Sequence, residues 1–405
     1  MLPGDGGEDV ETTISMAGDQ GTTITLTATE PALSITDSID ASGVLNMSLG
    51  ADHHVDILSG GDSQKAIHVV SNNSVAVNVL TKGKTFALSY TANPQLVGGY
   101  FSHRVVTHCP ENDTCNSLIA IVGIMNSPQI MVTVRSPTVV TINGVNYTDG
   151  DVIPVYIFQY EITLLRCKGD ISGSQVFTPF PTNVFSGSYC DKVGTFGCDF
   201  TFEQIPPKRL LGSQFTIGPF PPSVNGFYRI VASTSNTAIV KDDSSTLTVI
   251  NEGEFYDIKD KLQISKIESS SPVLLTMLII DGTSQDSHSN VMIVIQPSTE
   301  NRKYYRVISP EGYRSYAQME APRGLHRNVW INSQLVCSQD IYIEQLNVTL
   351  LFVQLEQGIG NVACSDDHPA YGLITYGFRN NLAYGYSALP GKPVKSPEGN
   401  SGKSH

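Results

Sequence analysis

Residues Leu118–Ser136 read LIAIVGIMNSPQIMVTVRS, and this stretch decides the fold class. It contains two apolar runs that are separated by a short polar turn. Because successive side chains of a β-strand point to opposite faces, the alternation within a run places one face in a core and the other in solvent. Two such runs around a polar turn are typical of a β-hairpin. The stretch therefore predicts two paired strands.

The same opening phrase occurs twice more, as TTISMAGDQGTTITLTA from Thr12 and as YRIVASTSNTAIVKDDS from Tyr228. Each copy is followed by a closing phrase, in which two apolar strands flank a polar turn or a Ser or Pro. The closing phrases are KAIHVVSNNSVAVNVL from Lys65, DISGSQVFTPFPTNVFSG from Asp170 and KLQISKIESSSPVLLTMLI from Lys261. The period, roughly 90 to 105 residues, is that of a small β-sandwich. Three stacked modules are therefore expected, with a degenerate fourth copy between Val329 and Val353.

We predict an all-β protein built from tandem β-sandwich-like modules of roughly 100 residues, packed in series. Charged residues make up only 16% of the chain, which disfavours long exposed helices. A helical turn is expected only near Pro207, and Asn143-Gly144 predicts a tight hairpin turn. The expected divisions are 1–10 as a disordered start, 11–115 as the first module, 116–225 as the second, 226–389 as the third with the degenerate fourth repeat, and 390–405 as a flexible tail or linker.

Composition limits the classes of partner. The 405 residues carry a formal net charge of −13, and a generalised negative field repels both nucleic acid and anionic lipid. No apolar run approaches the roughly 20 residues that a bilayer-spanning helix needs. We therefore expect neither nucleic-acid binding nor membrane insertion. The oligomeric state cannot be derived from the composition.

The seven cysteines fall mostly into pairs that are close in sequence. Short-loop pairs suit disulfides in an oxidising compartment, and buried reduced thiols are the alternative. Cys167 is left over, and a buried free thiol is expected there because no partner with metal-ligand spacing lies nearby. The expected disulfides are Cys109–Cys115, Cys190–Cys198 and Cys337–Cys364.

Sequence signals for secretion are mixed. The N-terminal residues lack the basic flank and apolar centre of a signal peptide. The cysteine pairs nevertheless favour an extracellular location. Asn-X-Ser/Thr sequons, which permit glycosylation without proving it, occur at Asn46, Asn72, Asn112, Asn146 and Asn347.

Several phrases, taken in order, resemble the N-terminal domain of IgGFc-binding proteins. The resemblance covers residues 20 to 390. The chain departs from the family pattern at Asp281–Asp286, where the family often has an Asp-Pro pair. The matching phrases are Val97–Tyr100, Gly169–Ser174, Val184–Gly187, Cys190, Cys198-Asp199, Glu203–Pro207, Leu211–Phe215, Ser271–Val273, Tyr376–Phe378 and Tyr384–Tyr386.

The resemblance implies a secreted, non-catalytic binding or adhesion module that recognises glycoproteins, mucus components or innate-defence partners through loops and strand edges. Immunoglobulin Fc is not carried over as the ligand, because no residue here identifies an Fc site. A passive spacer in a mucin-like gel is one alternative. The Tyr-Gly dipeptides near the end are interpreted as core packing.

A carbohydrate-active β-sandwich enzyme is the alternative from another class. Such an enzyme would need two carboxylates that face each other across a cleft. No nucleophile elbow is present, and we expect no catalytic residue, cofactor or metal. The residues that could carry such chemistry are the carboxylates Asp199, Glu203, Glu252 and Glu254, a metal set Asp52, His54 and Asp56, and an acidic loop with Asp281, Asp286 and His288.

Overall fold

The computed structural model describes residues 3–4, 10–56, 60–83, 86–94, 100–109, 115–191, 199–220, 224–242, 245–259, 264–281, 290–322, 329–332, 334–335, 339–343, 348–364, 370–380 and 382–390. Regular structure in these residues is almost entirely β-strand, which confirms the all-β class. The described part contains no helix long and apolar enough to span a membrane. Helical turns of the 3-10 type occur at Ala51–His53, Lys208–Leu210 and Ser298–Glu300.

The strands are numbered in chain order. The first eleven are β1 (Pro3–Gly4), β2 (Glu11–Ala17), β3 (Thr23–Ala28), β4 (Leu33–Ser38), β5 (Val44–Leu49), β6 (Val55–Asp56), β7 (Gly61–Ser63), β8 (Ile67–Ser71), β9 (Ala76–Lys82), β10 (Ala87–Ala92) and β11 (Phe101–Arg104). The next nine are β12 (Asn116–Gly123), β13 (Ser127–Thr133), β14 (Val140–Ile142), β15 (Val145–Tyr147), β16 (Val152–Ile157), β17 (Ile162–Lys168), β18 (Gln175–Thr178), β19 (Thr182–Asp191) and β20 (Asp199–Ile205).

The second half of the chain continues in the same way. It contains β21 (Gly212–Ile217), β22 (Val224–Ala232), β23 (Thr237–Lys241), β24 (Ser245–Ile250), β25 (Phe255–Ile258), β26 (Ser265–Asp281) and β27 (Asn290–Val294). It ends with β28 (Tyr304–Ser309), β29 (Arg314–Pro322), β30 (Val329–Ile331), β31 (Gln334–Leu335), β32 (Gln339–Ile343), β33 (Val348–Leu355), β34 (Gly358–Cys364), β35 (Gly372–Arg379), β36 (Leu382–Ser387) and β37 (Leu389–Pro390).

Four segments of the chain share one sheet topology, and we call them repeats 1 to 4. In each, four antiparallel strands a, b, c and d, named in chain order, lie side by side in the order d-c-a-b. We call this the inner sheet of the repeat. The four inner sheets are β10-β9-β2-β5, β20-β19-β12-β17, β27-β26-β22-β25 and β36-β35-β29-β33.

Each repeat also has an outer sheet, which faces its inner sheet and completes a sandwich. The outer sheets are β4-β3-β8 in repeat 1, β11-β18-β13-β16 in repeat 2, β21 and β24-β23 with the first part of β26 in repeat 3, and β31-β30-β34-β28-β37 in repeat 4. The tandem-sandwich prediction is therefore confirmed. In repeat 3 the single strand β26 serves both sheets, since residues 265–269 pair with β21 and β23 and residues 273–281 pair with β22.

The repeat phrases located the right strands but the hairpin interpretation of the opening phrase was wrong. Its two runs are strands such as β12 and β13, which lie in the two facing sheets and do not pair with each other. Alternation shows which face of a strand is buried but does not show which strand is its partner. The Asn143-Gly144 hairpin is confirmed by the pairing of β14 with β15, with φ of 48° and 83° at the two turn residues.

In the fourth repeat the outer sheet begins at β28 and the inner sheet at β29, both before the degenerate copy that was expected from Val329. The expected module boundaries stay a prediction, and strands cross between repeats. β7 of repeat 1 adds to the inner sheet of repeat 2 by pairing with β17.

The four repeats close into a ring around the d strands β10, β20, β27 and β36, which lie next to one another in that cyclic order. Hydrophobic clusters cross each junction because the inner sheets are buried on both faces. Residues from two repeats that share one cluster are, for example, Met16 and Phe202, Ile205 and Leu274, Met277 and Tyr376, and Ala87 and Tyr386.

Candidate functional site

The outer sheet of repeat 2 carries apolar side chains on its solvent face. In the edge strand β16, buried Ile153, Val155 and Ile157 alternate with exposed residues, as a sandwich strand requires. The exposed positions, however, are also apolar, and Tyr156 is 64% exposed. Both faces of this edge strand are therefore hydrophobic.

Neighbouring strands extend this surface across the sheet. Met131 of β13 pairs with Pro154 on one side and with Phe177 of β18 on the other, so the three side chains form a row. The ring of Tyr100, 73% exposed, stacks on Phe177 with centroids 5.8 Å apart and an interplanar angle of 14°. We call this surface the aromatic face, defined by Tyr100, Met131, Val152, Pro154, Tyr156 and Phe177.

A contiguous exposed apolar surface of this kind marks an interaction site more often than an isolated exposed Leu or Val does. Tyr side chains suit such a role because they supply a large rigid contact area at a small cost in conformational entropy. An edge strand adds backbone groups that are not used within its own sheet. The aromatic face can therefore bind a ligand without any catalytic group.

The family-like phrase Gly169–Ser174 lies at the junction of repeats 2 and 3, where it contacts Arg229. This arginine is 3% exposed and binds Asp257 in a bidentate manner, with Nε–Oδ1 at 2.7 Å and Nη2–Oδ2 at 2.9 Å. Its Nη1 also donates to Asp170 Oδ2 at 2.6 Å and to the Thr107 carbonyl at 2.5 Å. The phrase therefore holds two repeats together.

Electrostatics at this junction favour the ion pair. Burial alone would raise the pKa of Asp257, but hydrogen bonds and the positive charge of Arg229 hold it below its usual value. The guanidinium also stacks over the ring of Phe255, 4.0 Å from its centroid. Nearby, Arg104 forms an ion pair with Glu252 and donates to the Gly173 carbonyl.

Three of the four carboxylates that an enzyme could use have a local partner. Glu203 is 4% exposed and accepts a hydrogen bond from the backbone amide of Gln204 at 3.1 Å. Burial raises the pKa of Glu203 well above its usual value. Glu252 pairs with Arg104, and Glu254 accepts from the Asn251 amide at 2.7 Å. The side chain of Asp199 lies outside the described residues. The described carboxylates therefore give no support to the glycosidase alternative.

The set Asp52, His54 and Asp56 is not brought together. His54 is buried, its Nε2 lies 2.6 Å from Thr12 Oγ1, and burial lowers its pKa to about 4. Asp52 and Asp56 are exposed. Among the described residues there is no group of three His, Cys, Asp or Glu that could hold a metal ion. In the acidic loop, Asp286 and His288 lie outside the described residues.

The cysteines are described only in part. The structure contains a Cys109–Cys115 disulfide, with the Cα atoms 5.5 Å apart. Cys167 is a buried free thiol, as expected, and burial raises its pKa to about 12. Cys364 is buried. Cys198, Cys337 and the Cys190 side chain lie outside the described residues, so the other two pairs stay predictions.

Three of the five sequon asparagines, Asn46, Asn72 and Asn146, are exposed. In two of them the described hydrogen bond uses the side-chain oxygen: Asn72 Oδ1 accepts from the Thr23 amide and Asn146 Oδ1 accepts from Thr141. Glycosylation at these sites stays a prediction. Asn112 and Asn347 lie outside the described residues.

The tyrosines of the Tyr-Gly phrases are buried, and their interpretation as core packing is confirmed. Tyr376 lies in the core that repeats 3 and 4 share, and Tyr384 and Tyr386 lie between repeats 4 and 1. Ring–ring contacts such as Tyr313 with Tyr384, at 5.2 Å, stabilise this region.

Sequence reasoning missed the aromatic face, although a signal for it exists. The run VIPVYIF at residues 152–158 is apolar at every position. A strand of that kind is either buried on both faces or exposed on an apolar one. The proline within it favours an edge strand, and hence the second possibility.

Comparison with known proteins gives a family and distant relatives. A profile described as IgGFc binding protein matches residues 99–377. The human IgGFc-binding protein is 22% identical over 351 residues, which are 82% of this chain and 6% of that protein. This chain therefore spans only a small part of the curated relative that it matches.

Two solved structures were also compared with the chain. A viral chemokine binding protein, R17 of rodent gammaherpesvirus Peru, is 8% identical with a TM-score of 0.19, covering 75% of this chain and 88% of that one. An anti-sigma factor domain-containing protein is 10% identical with a TM-score of 0.14, covering 93% of this chain and all of that one.

Proposed function

This chain belongs to the IgGFc-binding protein family, and on that premise we propose that it is a secreted, non-catalytic binding or adhesion module. Its partner would be a glycoprotein of mucus or of innate defence. The observation that carries the proposal is the aromatic face, an exposed apolar surface on an edge-strand sheet of a rigid scaffold. Sheet face and strand edge together would form the contact, with the neighbouring loops at its rim.

The name of the human relative makes immunoglobulin Fc one candidate ligand among several. The Cys109–Cys115 disulfide and the exposed sequons support an extracellular location, where disulfides persist and glycans are added. The net charge of −13 supports a protein or glycan partner over nucleic acid.

A binding screen on the secreted protein tests the proposal. The panel would contain immobilised mucus glycoproteins, glycans and serum proteins, including immunoglobulin Fc. We expect Tyr100→Ser combined with Tyr156→Ser to lower the affinity for the ligand that the screen identifies by about tenfold or more. Central aromatic side chains dominate interface energies. The thermal midpoint should change little, since both side chains are exposed.

The matched control is Val249→Ser, which removes another exposed apolar side chain, 56% exposed, from the outer sheet of repeat 3. It should leave the affinity unchanged. Equal affinity of the Tyr double variant and the wild type would rule out the aromatic face as the binding surface. A panel without any ligand would instead favour the passive spacer.

A further inference from the structure

A cavity of about 320 Å³ lies where repeats 3, 4 and 1 meet. Its size is at the lower end of the range for small-ligand pockets. Ile295 and Ile374 form part of an apolar wall, while Glu300 and Arg302, whose side chains are 54% and 53% exposed, lie at its mouth. The cavity shares no residue with the aromatic face. It is therefore an independent candidate site that opens to solvent.

Gln318 of β29 lines this cavity and is 7% exposed. Its Oε1 is buried and has no hydrogen-bond partner among the described residues. An unpaired buried acceptor is destabilising, and such atoms are rare in folded proteins. An N–H or O–H donor bound in the cavity would remove that cost.

Glu320 lies two residues further along β29, so its side chain points to the same side of the strand as that of Gln318. It also lines the cavity. Gly372 of β35, its cross-strand neighbour, leaves room for the carboxyl group: a Cβ atom there would lie 2.8 Å from Glu320 Oε1. The two acceptors and the apolar wall thus converge on one space.

We propose that this cavity binds a primary ammonium group at the end of an apolar chain. Three N–H donors of an ammonium match the Glu320 carboxylate and Gln318 Oε1, and the alkyl stem matches the wall of Ile295 and Ile374. The ligand is a lysine side chain of a partner protein or a free alkylamine, which share this chemistry. The net charge of −13 raises the local concentration of cations of either kind.

Binding of this kind is linked to protonation. Burial raises the pKa of Glu320 to about 8, although a side-chain hydrogen bond with Thr216 opposes the shift. At pH 7 the free protein therefore holds a mostly neutral carboxyl group, which must lose its proton to pair with an ammonium. The groups that face it are Tyr228 and Tyr305 within the cavity, Glu300 and Arg302 at the mouth, and Lys266 and Glu268 in the adjoining cavity.

Titration calorimetry of the full chain with n-pentylamine tests the site. At pH 7 we expect binding to release close to one proton, measured from the dependence of the heat on the ionisation enthalpy of the buffer. Affinity should rise by roughly fiftyfold between pH 6 and 8, as Glu320 ionises, while the amine, with a pKa near 10.4, stays charged. n-Pentanol and N,N,N-trimethylpentylammonium, which lack the charge and the N–H donors respectively, should bind at least tenfold more weakly.

Glu320→Gln keeps the shape of the side chain and should abolish both the proton release and most of the affinity. It removes an ionisable group from a buried position and is not expected to unfold the protein, which a thermal melt would verify. Gly372→Ala should weaken amine binding by displacing the same carboxyl group. Glu311→Gln, which changes an exposed acid in the loop before β29, is the matched control and should bind like the wild type.

The two sources of the ammonium are distinguished by Gly-Lys-Gly peptide and its Nε-acetylated form. Tighter binding of the unmodified peptide than of n-pentylamine would identify a lysine-bearing protein partner, and the reverse a free amine. Proton-free binding, equal binding of n-pentanol, or full affinity of Glu320→Gln would overturn the proposal. Because the aromatic-face variants do not touch this cavity, each proposal can fail alone.

Discussion

Arg229 connects residues that are far apart in sequence. One guanidinium binds carboxylates from both sides of the junction, Asp170 from repeat 2 and Asp257 from repeat 3, and it does so while nearly fully buried. Burying the charge of Arg229 is unfavourable, and the paired carboxylates offset that cost. Loss of the arginine would leave two acids with unpaired hydrogen-bonding capacity.

We predict that Arg229→Met lowers the free energy of unfolding by about 3–5 kcal/mol, the usual effect of removing one partner of a buried ion pair. Denaturant unfolding at pH 7 measures this. The control is Arg135→Met, which removes an exposed pair with Asp149 at 3.0 Å and should cost less than about 1 kcal/mol. Similar losses in the two variants would show that the junction does not depend on Arg229.

Single residues were the hardest level to predict from the sequence. In the run RSYAQME of β29, Gln318 and Glu320 alternate with buried Ala317 and Met319. Polar residues at every second position normally face solvent, but here that face is covered by neighbouring repeats. Sequence alternation shows that a strand has two faces. It cannot show that a distant part of the chain covers the polar one.

Strands were predicted far better than their partners. The opening and closing phrases coincide with strands in repeats 1 to 3, because alternating apolar residues are a local signal. Pairing is set by contacts across the whole sandwich, and the hairpin interpretation failed for that reason. The fourth repeat was found only in part: the first strand of its inner sheet, β29, carries polar residues on the face that packs against other repeats.

The β19–β20 hairpin provides an element-scale prediction. Its strands pair from Val184 with Ile205 to Asp191 with Asp199, and the predicted Cys190–Cys198 disulfide would close the loop between them. Cys190→Ser should then lower the free energy of unfolding by about 2–3 kcal/mol, given the short loop. Cys190→Ser combined with Cys198→Ser should cost no more than the single change. Mass spectrometry of the unreduced protein that finds both thiols free would disprove the link.

The whole molecule is a ring in which the last repeat packs on the first. Ser89 of repeat 1 donates to the Gly385 carbonyl at 2.9 Å and accepts from the Gly385 amide at 3.0 Å. Thr91 donates to the Ser387 carbonyl at 2.7 Å. With apolar clusters at the other junctions as well, no repeat can unfold without exposing the core of a neighbour. One cooperative transition is expected.

The single tryptophan, Trp330, lies in repeat 4 and reports on that repeat alone, whereas circular dichroism reports on all strands. We predict coincident denaturation curves by the two probes. Ser89→Ala, in repeat 1, should lower the free energy of unfolding measured by both probes equally, by about 1–3 kcal/mol, because it leaves buried groups of Gly385 unpaired. Ser34→Ala, an exposed site on β4, should shift neither curve. If Ser89→Ala leaves the unfolding curve measured by Trp330 fluorescence unchanged, the repeats fold independently.

Closure of the ring also fixes where the polypeptide enters and leaves it. β2, which starts at Glu11, and β37, which ends at Pro390, both lie beside β9. The two ends are thus separated by about the length of one strand, on the order of 20 Å. Within a longer polypeptide, such a ring would add the volume of four sandwiches but only about 20 Å to the end-to-end distance.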